Sequence, residues 1–215
     1  MPGYEPFLLC DFHVHTTWSD GRLSVREVVD LYGQTGRFDV IAITDHILME
    51  RDLLGRAGRL MSLGRRHFSV TQERFDAYLA DIAAEAARAR KLYGMLVVPG
   101  AEITQNGLRS RKNSHIIALN IKQWISADQS AREILEEIRR QGAFSIACHP
   151  HHRTTRRIEI STCFLWDNRK ELVAKHLYSW KTLLRCEKNW DAIAATMRAN
   201  VDIALTLYRN GSWAA

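Results

Sequence analysis

The sequence predicts an α/β fold, and three observations carry that expectation. Short apolar runs at 7–10, 40–43, 95–98, 115–121 and 144–148 have the length of buried strands. Stretches of helical spacing stand between them, so the order is βα repeated, which argues for a parallel sheet with helices packed outside it, open or closed into a barrel. A chain of 215 residues, 46% hydrophobic and 25% charged, suits one buried core, so a single domain over 1–215 is expected.

The first helix follows from Val25, Val28, Val29 and Tyr32, spaced to share one face behind a Ser24-x-x-Glu27 capping box. Phe75, Leu79, Ile82, Ala83 and Ala86 repeat that spacing in a longer helix, which Gly94 can end. Ile134, Leu135 and Ile138 place a third helix, opening near the Ser126-x-x-Gln129 box and stopping at Gly142. Residues 48–69, with Gly55, Gly58 and Gly64 among arginines and leucines, read as an excursion above the sheet. Trp190, Ile193, Met197, Val201 and Leu205 recur at helical spacing and predict a C-terminal helix at about 187–209.

Composition narrows the function classes. No apolar stretch approaches bilayer length, and Met1-Pro2-Gly3-Tyr4-Glu5 is no basic patch before an apolar core, so a cytoplasmic location and no membrane partner are expected. Cys10, Cys148, Cys163 and Cys186 are scattered without a CxxC pair, which argues against a zinc knuckle or a disulfide framework. Net charge is +6, with the excess in Arg65-Arg66, Arg109-Ser110-Arg111-Lys112 and Arg153-Thr154-Thr155-Arg156-Arg157. Such clusters suit phosphate or nucleic-acid partners, and equally a solvated face.

The chemistry is carried by His13-Val14-His15, whose imidazoles are one residue apart on a strand and so share a face. In a parallel sheet the carboxyl ends of the strands converge on the rim where ligands bind. Those ends supply His13 and His15, then Asp45-His46, then Glu102, then His149. His115 opens its run, and so fits the convergence less well. Any one of these has an ordinary structural alternative, since a lone histidine is usually hydrogen-bonded and Asp45 could cap a helix. Their joint occurrence points to a metal centre, with imidazole and carboxylate donors suited to zinc, manganese or iron.

These residues also carry a resemblance. His-x-His-x-x-x-Ser-Asp-Gly at 13–21, Ile43-Thr44-Asp45-His46, Pro99-Gly100-Ala101-Glu102-Ile103, Ser114-His115-Ile116-Ile117 and Cys148-His149-Pro150 resemble, in order, the motifs of the PHP (polymerase and histidinol phosphatase) family. The resemblance implies a distorted (β/α)7 barrel, two or three divalent metal ions, and hydrolysis of phosphoesters by a metal-activated water. Carried over by position, it makes His13, His15, Asp20, His46, Glu102, His115 and His149 metal ligands, with Glu102 bridging two ions and serving catalysis. His151 is weighed as a proton donor to the leaving oxygen and as a solvated residue. Arg153, Arg156 and Arg157 are weighed as substrate-phosphate contacts and as surface charge.

The family's late Asp-x-His motif does not occur after His152; Lys170-Glu171-Leu172-Val173-Ala174-Lys175 stands where it is expected. The late strands of the barrel are therefore expected to be incomplete, with lower metal occupancy and an exposed edge that favours association with another chain. Two functions follow. One is a phosphoesterase acting on a small phosphomonoester, a nucleotide or an oligonucleotide end. The alternative is a degenerate module that binds metal or phosphate without turnover. Nucleic-acid binding through the basic clusters ranks below both, because no aromatics interleave with the basic residues.

Overall fold

The computed structural model describes residues 8–51, 68–106 and 114–148. Within them the strands are β1 (Cys10–Val14), β2 (Val40–Ile43), β3 (His46–Leu48), β4 (Leu96–Gln105), β5 (Ser114–Leu119) and β6 (Phe144–Ala147). The helices are α1 (Val25–Gln34), α2 (Phe75–Tyr93) and α3 (Ala131–Arg140), with a 3₁₀ turn at Gln72–Arg74 leading into α2. The six strands form one sheet in the order β1-β2-β4-β5-β6, and β3 pairs with β4 beyond the end of β2.

The sheet corrects the expected fold class. A distorted (β/α)7 barrel needs parallel strands throughout, whereas the described residues form a mixed sheet with three α-helices. β1, β2, β3 and β4 are parallel, but β4 pairs antiparallel with β5, and β5 antiparallel with β6. The cause between β4 and β5 is the connection. Only residues 106–113 separate them, too few for the crossover that a parallel pair requires, so the two strands pair antiparallel.

Element boundaries follow from local chemistry. Ser24 caps α1 and Glu27 returns the bond, as the capping box predicts. α2 buries Phe75, Tyr78, Ile82, Ala86 and Ala89, and Gly94 closes it with φ 64°, a left-handed turn that costs glycine little. α3 starts later than Ser126-x-x-Gln129 suggests. Its cap is Ser130, paired with Glu133 in a full capping box, while the Ser126 hydroxyl accepts from the Asp128 N–H inside the preceding turn. Both quartets fit the sequence pattern; the one that directly precedes the buried Ala131, Ile134, Leu135 and Ile138 forms the helix.

Alternation along the strands builds two apolar layers. Ile41, Ile43, Val97, Ala101, Ile103, Ile116 and Ala118 join the helices in the larger core. Val40, Ala42, Leu96, Val98, Ile117, Leu119 and Cys148 line the other face. A sheet apolar on both faces is the pattern of buried strands. Glu102 shares its parity with Leu96 and Val98, so its carboxylate leaves β4 on the face away from the helices.

Candidate metal centre

A β-bulge aims the first two histidines. Cys10 pairs with Val40 and Asp11 with Ile41, but Val14 pairs with Ile43, so β1 carries one extra residue. Phe12 packs on the second apolar face while Val14 enters the helix-side core, which leaves His13 and His15 on the face that Glu102 occupies. The interruption of β2 and β3 at Thr44-Asp45 does similar service. Asp45 and His46 are successive residues with opposite directions, His46 towards Glu102 and Asp45 towards the loop that follows His15.

Asp45 is fully buried and holds that loop. Its carboxylate accepts from the Thr16 N–H at 2.8 Å, the Thr16 hydroxyl at 2.7 Å and the Ser19 hydroxyl at 2.6 Å. Beneath it the Tyr78 hydroxyl donates to the Gly100 carbonyl at 2.8 Å and accepts from the Asp45 N–H at 3.2 Å. Burial, with the Asp45 charge beside it, pushes the Tyr78 phenol well above its ordinary range, so it stays neutral. Gly21 completes the loop by close approach. A Cβ there would lie 2.5 Å from the His15 carbonyl oxygen, so only glycine packs against that peptide.

Glu102, with no exposed surface, is the hub. Its Oε2 lies 3.1 Å from His13 Nε2, 3.0 Å from His15 Nε2 and 3.3 Å from His46 Nδ1. Its Oε1 lies 2.5 Å from His115 Nδ1. His13 Nε2 and His15 Nε2 are 3.0 Å apart, and Cys148 Sγ stands 3.4 Å from His13 Nδ1. On the outer side His15 Nδ1 meets Asp20 Oδ1 at 2.8 Å, and His46 Nε2 faces Asp20 Oδ2 at 3.7 Å.

The electrostatics of the chain by itself match this crowding. Burial disfavours a charged His15 ring, but hydrogen bonds to Glu102 and Asp20 outweigh it and raise its pKa to about 9. The His46 ring, then the His15 ring, hold the Asp20 carboxyl well below the usual carboxylate range.

The donors fit divalent cations in chemistry and spacing. Ligand atoms held about 2.0–2.1 Å from a tetrahedral zinc stand about 3.3 Å from one another. His13 Nε2, His15 Nε2 and Glu102 Oε2 are mutually 3.0–3.1 Å apart, each able to turn a lone pair inward. His13, His15 and Glu102 form one candidate group, and His15, Asp20 and His46 a second that shares His15.

His13, His15, Asp20, His46, Glu102 and His115 thus converge among the described residues. His115 joins because β5 is antiparallel, so the start of that strand lies beside the end of β4, with His115 opposite Thr104. Glu102 lies inside β4, which runs on to Gln105. His149, His151, Arg153, Arg156 and Arg157 lie outside the described residues, as does the C-terminal helix expected at about 187–209.

Asp45 was open to a cap or ligand role, and it serves as the anchor of the loop. Cys148, from the Cys148-His149-Pro150 motif, touches His13, while Thr104 and Asn106 touch His46 and His115 without belonging to any ligand pattern. Their one sequence signal is polar residues at alternate positions, Glu102, Thr104 and Asn106, following an apolar strand.

No family model and no curated protein matches the chain. Among solved structures, one similar chain is a proposed metal-dependent phosphoesterase from Bifidobacterium adolescentis, 14% identical, with a TM-score of 0.47 over 81% of this chain and 77% of that one. At that distance, the chemistry of the centre is read from its own side chains.

Proposed function

We propose that this chain is a metal-dependent phosphoesterase of the PHP type, acting on a small phosphomonoester, a nucleotide or an oligonucleotide end. The observation that carries the reading is a fully buried carboxylate whose two oxygens are approached by four imidazoles, two from β1 and its end and one each from β3 and β5. A buried carboxylate can be satisfied by hydrogen-bond donors of any kind, whereas here four imidazoles, each a metal-ligating group, converge on it. Zinc, manganese or iron would supply Lewis acidity towards phosphoryl oxygen and bring the ionisation of water from 15.7 towards about 7.

His13, His15 and Glu102 would hold one ion, and Asp20 and His46 would help to hold a second, with His115 on the far oxygen of Glu102; a neutral ring has one lone pair, so His15 serves one ion. His149 extends this set in the proposal. The Asp45 anchor keeps Asp20 and His15 in place, which lowers the reorganisation needed when substrate arrives. Arg153, Arg156 and Arg157 supply guanidinium groups that match phosphoryl oxygens in pairs, and His151 a proton for the leaving oxygen. A cytoplasmic enzyme is proposed; among the described residues no helix is long and apolar enough to cross a membrane.

The test is hydrolysis of an aryl phosphate by the purified chain with added manganese or zinc. Chelator, Glu102→Gln and His46→Ala are each expected to abolish turnover. Activity that survives both substitutions overturns the reading. Metal uptake without phosphate release across a substrate panel favours the module without turnover, the function to which the missing Asp-x-His motif points.

A further inference from the structure

We propose that Thr104 and Asn106 are positioning residues that fix the ring tautomers of His46 and His115, so that one chosen nitrogen of each ring presents a lone pair to the centre. The inference rests on the metal reading for its purpose, but its geometry stands separately. Glu102, Thr104 and Asn106 are alternate residues along and just beyond β4, and so leave it on one side.

Thr104 decides the His46 ring by proton count. A hydroxyl has one proton to give. Thr104 is 1% exposed and its hydroxyl donates to the Glu102 main-chain carbonyl at 3.2 Å. With that proton on the carbonyl, the same oxygen is placed to accept at 2.7 Å from His46 Nδ1, which then carries the ring proton. The second neighbour of Nδ1, Glu102 Oε2 at 3.3 Å, is also an acceptor and favours the same tautomer. The other nitrogen, His46 Nε2, faces Asp20 Oδ2 at 3.7 Å and is the one placed to ligate a cation there.

Asn106 makes the mirror choice for His115. Its Oδ1 lies 2.9 Å from His115 Nε2 and can only accept, so Nε2 carries the proton. His115 Nδ1 then turns a lone pair to Glu102 Oε1 at 2.5 Å. Two lone pairs that close need a proton or a cation to share. The two rings thus offer different nitrogens, Nε2 from His46 and Nδ1 from His115, and the β4 side chains account for the difference. Ligating histidines commonly donate their other ring N–H in this way, and loss of the acceptor typically weakens metal binding about 10–100-fold.

The experiment has two arms on the purified chain. In the first, nitrogen-15 spectra of histidine-labelled, chelator-treated protein report which ring nitrogen of His46 bears the proton. Nδ1 is expected in the wild type and in Thr104→Ser, and a mixture of both in Thr104→Val. In the second, zinc is titrated against a chromophoric chelator. Thr104→Val and Asn106→Ala are expected to weaken zinc binding about 10–100-fold, while Thr104→Ser and Asn106→Asp, which keep an acceptor, stay near the wild type.

A wild-type His46 protonated on Nε2 overturns the proposal, as does Thr104→Val with the wild-type tautomer and zinc affinity. Should the valine variant not fold, the wild-type spectrum and the serine variant still decide. A wild type that shows the expected tautomer yet takes up no zinc upholds the positioning role and sinks the metal reading instead.

Discussion

Asp45 shows how much of the centre depends on a residue that touches no candidate cation. Its carboxylate satisfies three donors from Thr16 and Ser19 out of contact with water. An orphaned buried donor costs about 1–3 kcal/mol, so Asp45→Ala should lower stability by about 3 kcal/mol or prevent folding. Asp45→Asn keeps the volume but turns an amide towards donors, and should cost a substantial part of that. Urea titration checks both, and a midpoint unchanged from the wild type would remove the anchor role. His15 gives a second expectation, for the chelator-treated chain. Its folded pKa of about 9 lies above its ordinary 6.5, so the charged ring favours the folded state. That contribution is whole below 6.5 and is lost as pH rises through about 9. Melting temperatures should therefore fall across that window more steeply in the wild type than in His15→Gln, and parallel curves would contradict the assignment.

Elements differ in how far the sequence alone discloses them, because some are decided locally and others by pairing. α1 and α3 end where short-range signals lie: Ser24 with Glu27 and Ser130 with Glu133 each close a box. Ser24→Ala and Ser130→Ala should each cost about 1 kcal/mol, and the two should add because each box closes within its own helix. Ser126→Ala tests the competing boundary and should stay within about 0.5 kcal/mol, since its hydroxyl serves only a turn. A loss at Ser126 equal to that at Ser130 would restore the earlier helix start. Strand direction has no such local mark. The run at His115 is the same whether β5 is parallel or antiparallel, and only the short reach of 106–113 decides it. The extra residue in β1 is equally silent, because a bulge adds no residue type of its own to Phe12-His13. Alternation could place His13 and His15 together, and could not show that Phe12 shares their side.

At the scale of the molecule, the candidate centre ties together parts of the chain that sequence order keeps distant. His13 comes from β1, His46 from β3, Glu102 from β4 and His115 from β5. The convergence of ligands was legible because imidazole and carboxylate side chains are conspicuous beside apolar strands. The barrel expected around them was not borne out, because the same donors can be gathered by a mixed sheet whose reversed strand begins where its neighbour ends. A site assembled from four strands exists only in the folded chain, so cations that occupy it must stabilise the fold by mass action. Zinc or manganese at about a hundred times its dissociation constant should add about 2.7 kcal/mol, or roughly 5–10 °C in melting temperature for a chain of this size. Chelator should reverse the shift. Glu102→Gln, which replaces the shared carboxylate by an amide of the same shape, should remove most of it while leaving the helix caps and both apolar layers intact. Calorimetric melts of wild type and variant, with and without metal, separate the possibilities. An equal rise in both proteins would mean that cations bind elsewhere, and no rise in either would mean that the four imidazoles around Glu102 serve only the fold.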